Sequence, residues 1–456
     1  MPRSSATDHI LRLIGIALLA VAASVAAAAP VVLVAVGDVT STSAVLWVRG
    51  AGAGTVTVAY GAAGAPPAST ASVAVTPASD LTGQVTLSGL APGTRQAYRV
   101  QSNGVTADGE FVTAPPPDAP ARVRFVWSGD LGSVRFCRPV EGGYKIFRAM
   151  AAAKPDFFLF VGDTMYADHR CGGPDVVAGA DFIATTLPGF HNKHRYNRED
   201  QAASVFYAAT AVFPIWDDHE VRNDFSGPSE PSMTMGRQAF LDYWPIARPT
   251  EEPGRLYRHF RWGRLLDVFI LDTRQYRSSN RDPDGPDKTM LGGVQRRWLL
   301  DGVTSSSATW KVIVSSVPLS VPTGTSAAHD SWSNASIFGV PEEHPTGFAV
   351  ERDLILRTLR DRAIKNVIFI AADVHHAEVI RHQPTPSFSF HEFIAGPLSA
   401  TPGRPRPLDQ GLSARSLFAR GGINNFGEIT IEREGLTVRI IDDDGGALFT
   451  HSIGPE

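Results

Sequence analysis

The chain has 456 residues, 43% of them hydrophobic and 19% charged. This composition excludes a disordered, collagenous or many-span membrane protein and leaves enough sequence for a large buried core. Lysine and arginine number 42 against 46 aspartates and glutamates, a formal net charge of −4, so no basic excess points to nucleic acid. Two cysteines exclude a disulfide scaffold or a Cys-based zinc protein, and demanding chemistry falls to Asp, His, Tyr, Arg and Asn.

Residues 1–29 read as a secretory signal peptide. Arg3 and Arg12 precede or flank an apolar run from Leu13 to Val25, and Ala26 to Ala29 satisfy the small-x-small cleavage pattern before Pro30. The run is short for a membrane span, so the mature chain is expected to be exported, periplasmic or extracellular, with no stable membrane span. Its removal leaves 40 cationic against 45 anionic side chains, or −5. In that compartment Cys137 and Cys171 could pair or stay as separate thiols, and their positions in the sequence leave both open.

Residues 30–114 are rich in Val, Thr, Ser and Ala. The runs VVLVAVGDVT, SAVLWVRG, TVTVAYG, GQVTLSGL and QAYRVQS each predict a strand between Gly, Pro and Ser turns, as in a small β-sandwich. Residues 115–122, PPPDAPAR, form a proline-rich linker. Over 123–456 solid apolar runs (123–128, 156–162, 211–216, 265–271, 311–316 and 366–372) alternate with helix-period segments at 143–153, 198–210, 235–244, 293–303 and 349–363. Runs without in/out alternation suit strands covered on both faces, and the alternation predicts a layered α/β domain. The tail from residue 426 returns to β-patterning.

Polar residues gather just after these runs: Asp130 in VWSGD, Asp163 and Tyr166 in FLFVGDTMY, Asp217, Asp218 and His219 in FPIWDDHE, Asp272 and Arg274 in FILDTR, and Asp373, His375 and His376 in FIAADVHH. Singly, each has an ordinary explanation as a helix cap, a core histidine or a packed tyrosine. Open α/β sheets bind ligands outside the carboxyl ends of their strands, so together they converge on one edge. Carboxylates brought together there would repel, and bound cations cancel that cost. The oxygen-rich set implies hard ions rather than a thiolate site. It also holds the parts for phosphoryl chemistry: Asp163 to bridge two metals, Arg274 to clamp phosphate, and His219 to protonate a leaving oxygen. No P-loop and no G-x-S-x-G elbow is present.

The motifs VGDTMYAD, IWDDHEVRND, FILDTRQYR, TMLGGVQRRWL and AADVHHAE, in this order, resemble the PhoD-like (alkaline phosphatase D) branch of the metallophosphoesterases over nearly the whole mature chain. GDVTSTSAVLWVR is similar to the opening strand pair of the family's N-terminal β-domain. The resemblance implies a four-layer α/β/β/α sandwich preceded by a small all-β, fibronectin type III-like domain. It also implies a dinuclear centre of Fe3+ with Ca2+ that hydrolyses a phosphate ester, small molecule or polymer, through a metal-bound hydroxide. Carried over by position, Asp130, Tyr166 and His375 would bind the first metal, Asp218 and Asp373 the second, and Asp163 both. His219 would be the catalytic imidazole and Arg274 the phosphate clamp. Asn223 would be a further ligand or phosphate contact, and His376 a substrate-binding or outlying residue. Arg277 reads rather as a surface ion-pair partner. The chain departs from the family at Asp130, where a Cys is frequent, at Ala372 in place of Gly, and at Ser315-Ser316, where a second-metal His is usual. Two long loops, 277–292 and 320–348, are the candidate pocket wall; their Trp332, His329 and His344 read as packed or exposed.

Overall fold

The six apolar runs after the proline-rich segment all become buried strands of two facing sheets. The computed structural model describes Val31–Glu456, so the signal-type segment 1–29 lies outside the described residues. In chain order the strands are β1 (Leu33–Gly37), β2 (Ser43–Arg49), β3 (Gly54–Ala62), β4 (Ser69–Val75), β5 (Thr82–Ser88), β6 (Arg95–Ser102), β7 (Val105–Val112), β8 (Val123–Ser128), β9 (Phe157–Val161), β10 (Ala211–Ile215), β11 (Arg258–Trp262), β12 (Leu266–Ile270), β13 (Trp310–Val314), β14 (Gly324–Thr325), β15 (Ala328–His329), β16 (Val367–Ala371), β17 (Ala377–Thr385), β18 (Phe388–Ile394), β19 (Arg415–Arg420), β20 (Asn425–Glu432), β21 (Gly435–Asp442) and β22 (Ala447–Ile453). The helices are α1 (Ile146–Ala152), α2 (Leu187–Arg198), α3 (Gln201–Ala209), α4 (Met233–Tyr243), α5 (Gly292–Ser305) and α6 (Ala349–Asp361).

The first sheet runs β22-β21-β20-β8-β9-β10-β1-β2-β5 and the second β11-β12-β13-β16-β18-β17-β19. Neighbours β8, β9 and β10 are parallel, as are β12, β13, β16 and β18. Their carboxyl ends therefore share one edge of each sheet. The absence of in/out alternation has its physical reason here. In β12, Val268 and Ile270 join the core between the sheets, while Phe269 joins Leu299 of α5 and Ile355 of α6 in an outer core. Phe213 of the first sheet stacks on Phe260 of the second, ring centroids 3.9 Å apart. Outside the first sheet, Asp200 caps α3 by accepting the Ala203 N–H at 3.0 Å. The result is the expected layered α/β fold.

The N-terminal all-β region is divided between two sheets. Strands β3, β4, β6 and β7 form a four-stranded antiparallel sheet, whereas β1, β2 and β5 extend the first large sheet, β1 lying parallel to β10. Further ties hold it: the Tyr98 hydroxyl donates to Ala208 O at 2.9 Å, and Gln84 donates to Leu241 O and Trp244 O. Residues 115–122 connect β7 to β8, pinned where the Arg264 N–H meets Ala119 O at 2.8 Å. Cys137 and Cys171 form a disulfide.

Candidate metal centre

Every cluster of polar residues singled out in the catalytic segment follows a strand of one of the two large sheets. Asp130 follows β8, Asp163 β9, Asp217 to His219 β10, Asp272 to Arg274 β12, and Asp373 to His375 β16. The chain turns sharply to bring them inward. Asp130, Asp163, Asp373 and His375 have φ of 65, 49, 67 and 56°, a left-handed conformation that costs ~1–3 kcal/mol per residue and concentrates at functional sites. Gly162 has φ 82°, and a Cβ there would lie 2.6 Å from the Cβ of Asp217, so only glycine lets these two strand ends close.

Ligand atoms fall into three adjoining groups, two of which share Asp163. Asp130, Asp163 and His375 offer atoms within 4.8 Å of one another, with the Tyr166 hydroxyl 3.1 Å from His375 Nε2. Asp163, Asp218 and His219 form a second such group, and Asp217, Asp218 and Asp373 a third beside it. Asp130 Oδ1 and Oδ2, Asp217 Oδ2, Asp218 Oδ1 and Asp373 Oδ2 are all buried with no hydrogen-bond donor. Such oxygens are costly to bury unless a donor or a cation meets them, so the residues fit hard cations. Burial first, and then neighbouring carboxylates, push Asp130, Asp163 and Asp373 well above the usual carboxylate range. A cation reverses that order and holds them ionised.

A second tier of contacts positions these groups. His375 Nδ1 meets Thr401 O at 2.7 Å, which leaves Nε2 toward Asp130 at 3.6 Å. His219 Nδ1 meets Asp168 Oδ1 at 2.7 Å. Burial lowers the His219 pKa, but Asp218 and the Asp168 hydrogen bond outweigh it and push it up to about 9. Glu220, fully buried, accepts from the Thr164 N–H at 2.6 Å, its hydroxyl at 2.7 Å and the Asp217 N–H at 2.9 Å, fastening the β9 end to the β10 end.

Three expectations from sequence need correction, those for Arg274, His376 and Arg277. Arg274 is fully buried, so it is not placed to clamp phosphate. Its Nε donates to Asp217 at 2.5 Å and its Nη atoms form a forked pair with Asp330 at 2.7 Å each, making it a counter-ion inside the acidic cluster. His376 is buried between Val374 O and Glu378 and cannot touch substrate. Asn223 is exposed, with its backbone N–H given to Asp168 Oδ2 at 2.9 Å. Arg277 is buried rather than on the surface, 2.8 Å from Asp330. In the long loops, His329 and Trp332 are buried, Trp332 donating to Ser315 Oγ at 3.1 Å, and His344 is exposed.

Sequence reasoning missed Asp168, His169, Glu220, Asp224 and Asp330. Asp168 and His169 lie with His219 in one group, Asp224 and Asp330 with Asp218 in another. Asp168 was within reach, since it closes the motif VGDTMYAD. Asp330 sits in the irregular 320–348 loop, where no local pattern marks it.

Two facing sheets with carboxylates and imidazoles at the strand ends of both define a metallophosphoesterase-type fold. The solved structure of PhoD shares it, with a TM-score of 0.74 and 22% identity over 92% of this chain and 88% of that one. So does purple acid phosphatase PPD1 from yellow lupin (Lupinus luteus) seeds, with a TM-score of 0.63 and 13% identity over 92% and 74%. The sequence profile of PhoD-like phosphatases matches residues 132–434, and that of the PhoD-like phosphatase N-terminal domain matches 20–115. The chain belongs to the PhoD-like phosphatase family. It is 27% identical over 325 residues to alkaline phosphatase D of Bacillus subtilis (strain 168), covering 63% of this chain and 52% of that relative, so it spans about half the relative's length.

Proposed function

We propose that the chain is an exported, metal-dependent phosphoesterase acting on mono- or diesters at a dinuclear centre. The observation that carries this reading is the set of buried carboxylate oxygens without donors, in three adjoining groups of which two share Asp163. Two hard cations held there would supply Lewis acidity toward the phosphoryl group and lower the pKa of a water. The phenol, imidazole and carboxylates around Asp130 suit a ferric ion, and the carboxylates around Asp218 and Asp373 suit calcium. Asp163, which lies with Asp130 and His375 and also with Asp218 and His219, would hold both cations. With Nδ1 held by Asp168 at 2.7 Å, His219 presents its Nε2 for proton transfer to the leaving oxygen. Arg274 holds Asp217 and Asp330 in place by balancing their charge. The disulfide and the N-terminal 29 residues support an oxidising, exported setting.

The test is to purify the mature chain, measure its metals, and assay p-nitrophenyl phosphate beside the bis ester with and without chelator. Two cations per chain and chelator-sensitive turnover are expected. Asp163→Asn should lower kcat by about 100-fold or more. A metal-free active chain, or full activity in Asp163→Asn, would sink the proposal.

A further inference from the structure

With Arg274 and Arg277 both buried, a guanidinium group that meets substrate must come from the rim. Among the ligand residues, Asp130, Asp163 and Asp218 are nearly sealed, at 1–3% exposure, whereas Asp373 and His375 are half-buried. The mouth therefore opens beside Asp373 and His375. The segment TPGRPRP, residues 401–407, packs against the His375 turn. Its backbone is locked to the metal site: Thr401 O meets His375 Nδ1, and the Gly403 N–H donates to His375 O at 2.6 Å. The Gly422 N–H donates to Gly403 O at 2.9 Å, and a Cβ on Gly421 would lie 2.4 Å from that same carbonyl.

Two consequences follow for Arg404 and Arg406. Each precedes a proline (Pro405 and Pro407), which confines its backbone to extended conformations and presents it on a stiff segment. Each is exposed and neither has a carboxylate partner among the described residues; Arg406 donates only to Pro322 O, at 3.0 Å. Arg420 ends β19, paired across to Ala377, two residues past His375. The next residue, Gly421, abuts the Arg404 backbone. Arg420 too is exposed and has no ion-pair partner among the described residues. The acids of the adjoining strands are turned inward, Glu378 to His376 and Glu392 to His382. In a chain of net charge −4, three exposed guanidinium groups without an ion-pair partner among the described residues are thus carried on backbone that packs beside the His375 turn. Guanidinium groups pair with phosphate by forked, charge-assisted hydrogen bonds.

We infer that Arg404, Arg406 and Arg420 form a subsite for a second phosphate group of the substrate, beyond the one being hydrolysed. This rests on the phosphoesterase reading above and adds a preference to it: substrates carrying a further phosphate are selected over those with a neutral substituent. The subsite acts in binding, so its effect falls on KM rather than kcat.

The test compares two chromogenic diesters on the metal-loaded mature protein, p-nitrophenyl thymidine 5′-phosphate and the same compound with a 3′-phosphate. The wild type should favour the phosphorylated ester in kcat/KM by about tenfold, through KM, and the preference should shrink as salt is raised. In the triple variant Arg404→Gln, Arg406→Gln, Arg420→Gln the ratio should fall to near one, and lysine at the three positions should restore part of it. No preference in the wild type, or a preference that survives in the triple variant, overturns the inference. If neither ester is hydrolysed, the phosphoesterase reading fails separately. Calorimetric binding of thymidine 3′,5′-bisphosphate then decides the subsite, which stands only if the triple variant binds about tenfold more weakly.

Discussion

At the scale of single residues, the hydrogen bond between Asp168 and His219 Nδ1 turns an ordinary acid into a positioning group. Asp168 touches no reacting atom in this arrangement, yet it fixes which ring nitrogen of His219 is left for proton transfer. Asp168→Asn should lower kcat by about 10- to 100-fold with KM and metal content little changed, and Asp168→Glu should recover part of the loss. Steady-state kinetics with metal analysis check this; an unchanged kcat would remove Asp168 from the account. Arg274 makes the opposite prediction from a phosphate clamp. Arg274→Met leaves Asp217 without its counter-ion and Asp330 with Arg277 alone in a buried site, so stability should fall by about 3–5 kcal/mol. Chemical denaturation measures it, and a stable variant altered only in KM would restore the clamp. The sequence showed that acids and imidazoles end these strands. It did not show which side chains meet, because Asp217, Arg274 and Asp330 come together across 113 residues of chain through the closure of two sheets and a long loop.

At the scale of elements, the solid apolar runs were legible because each strand is covered on both faces. Strands β4 and β7 were not: only one residue in each is buried, so their hydrophobic signal is faint. Helix α2 escaped for a different reason. It buries His191, Lys193, His194, Asn197 and Arg198, so a polar run becomes core once its partners arrive. One of those partners is Asp80, in the turn before β5. Its carboxylate accepts from Arg195 of α2 at 2.6 Å, from Arg49 of β2 at 3.3 Å and from the Tyr243 hydroxyl of α4. Burial raises the Asp80 pKa, but the Tyr243 and Arg49 contacts outweigh it and hold it below the ordinary value of 3.8. A depressed folded pKa contributes stability that is present above the unfolded value and is lost as pH falls through the folded one. Asp80→Asn, which keeps the left-handed turn accessible, should cost about 1–3 kcal/mol near neutral pH. The gap from wild type should close as pH drops below 3.8, as followed by thermal melting across pH 2.5–7. A gap that persists undiminished at the acid end contradicts this assignment.

At the scale of the whole molecule, the disulfide ties the loop after β8 to the loop after β9, across a sequence separation of 34. In the chain-entropy account a closed loop of that length stabilises by about 3–4 kcal/mol. Replacing both cysteines by serine should therefore lower the melting temperature, and reductant should lower the wild type to a similar value. A reductant-insensitive wild type would show the bond to be unimportant. The sequence by itself determined the composition class, the buried strands, the presence of acids and imidazoles at their ends, and the family these motifs resemble. Those features are local, carried by runs of a few residues. The tertiary structure alone decided that β1, β2 and β5 belong to the large sheet, that the two cysteines pair, and that Arg274 is a buried counter-ion while Arg404 and Arg406 are exposed. The reason is physical: whether a cation is sealed or exposed depends on which surfaces close over it, and those surfaces come from distant parts of the chain.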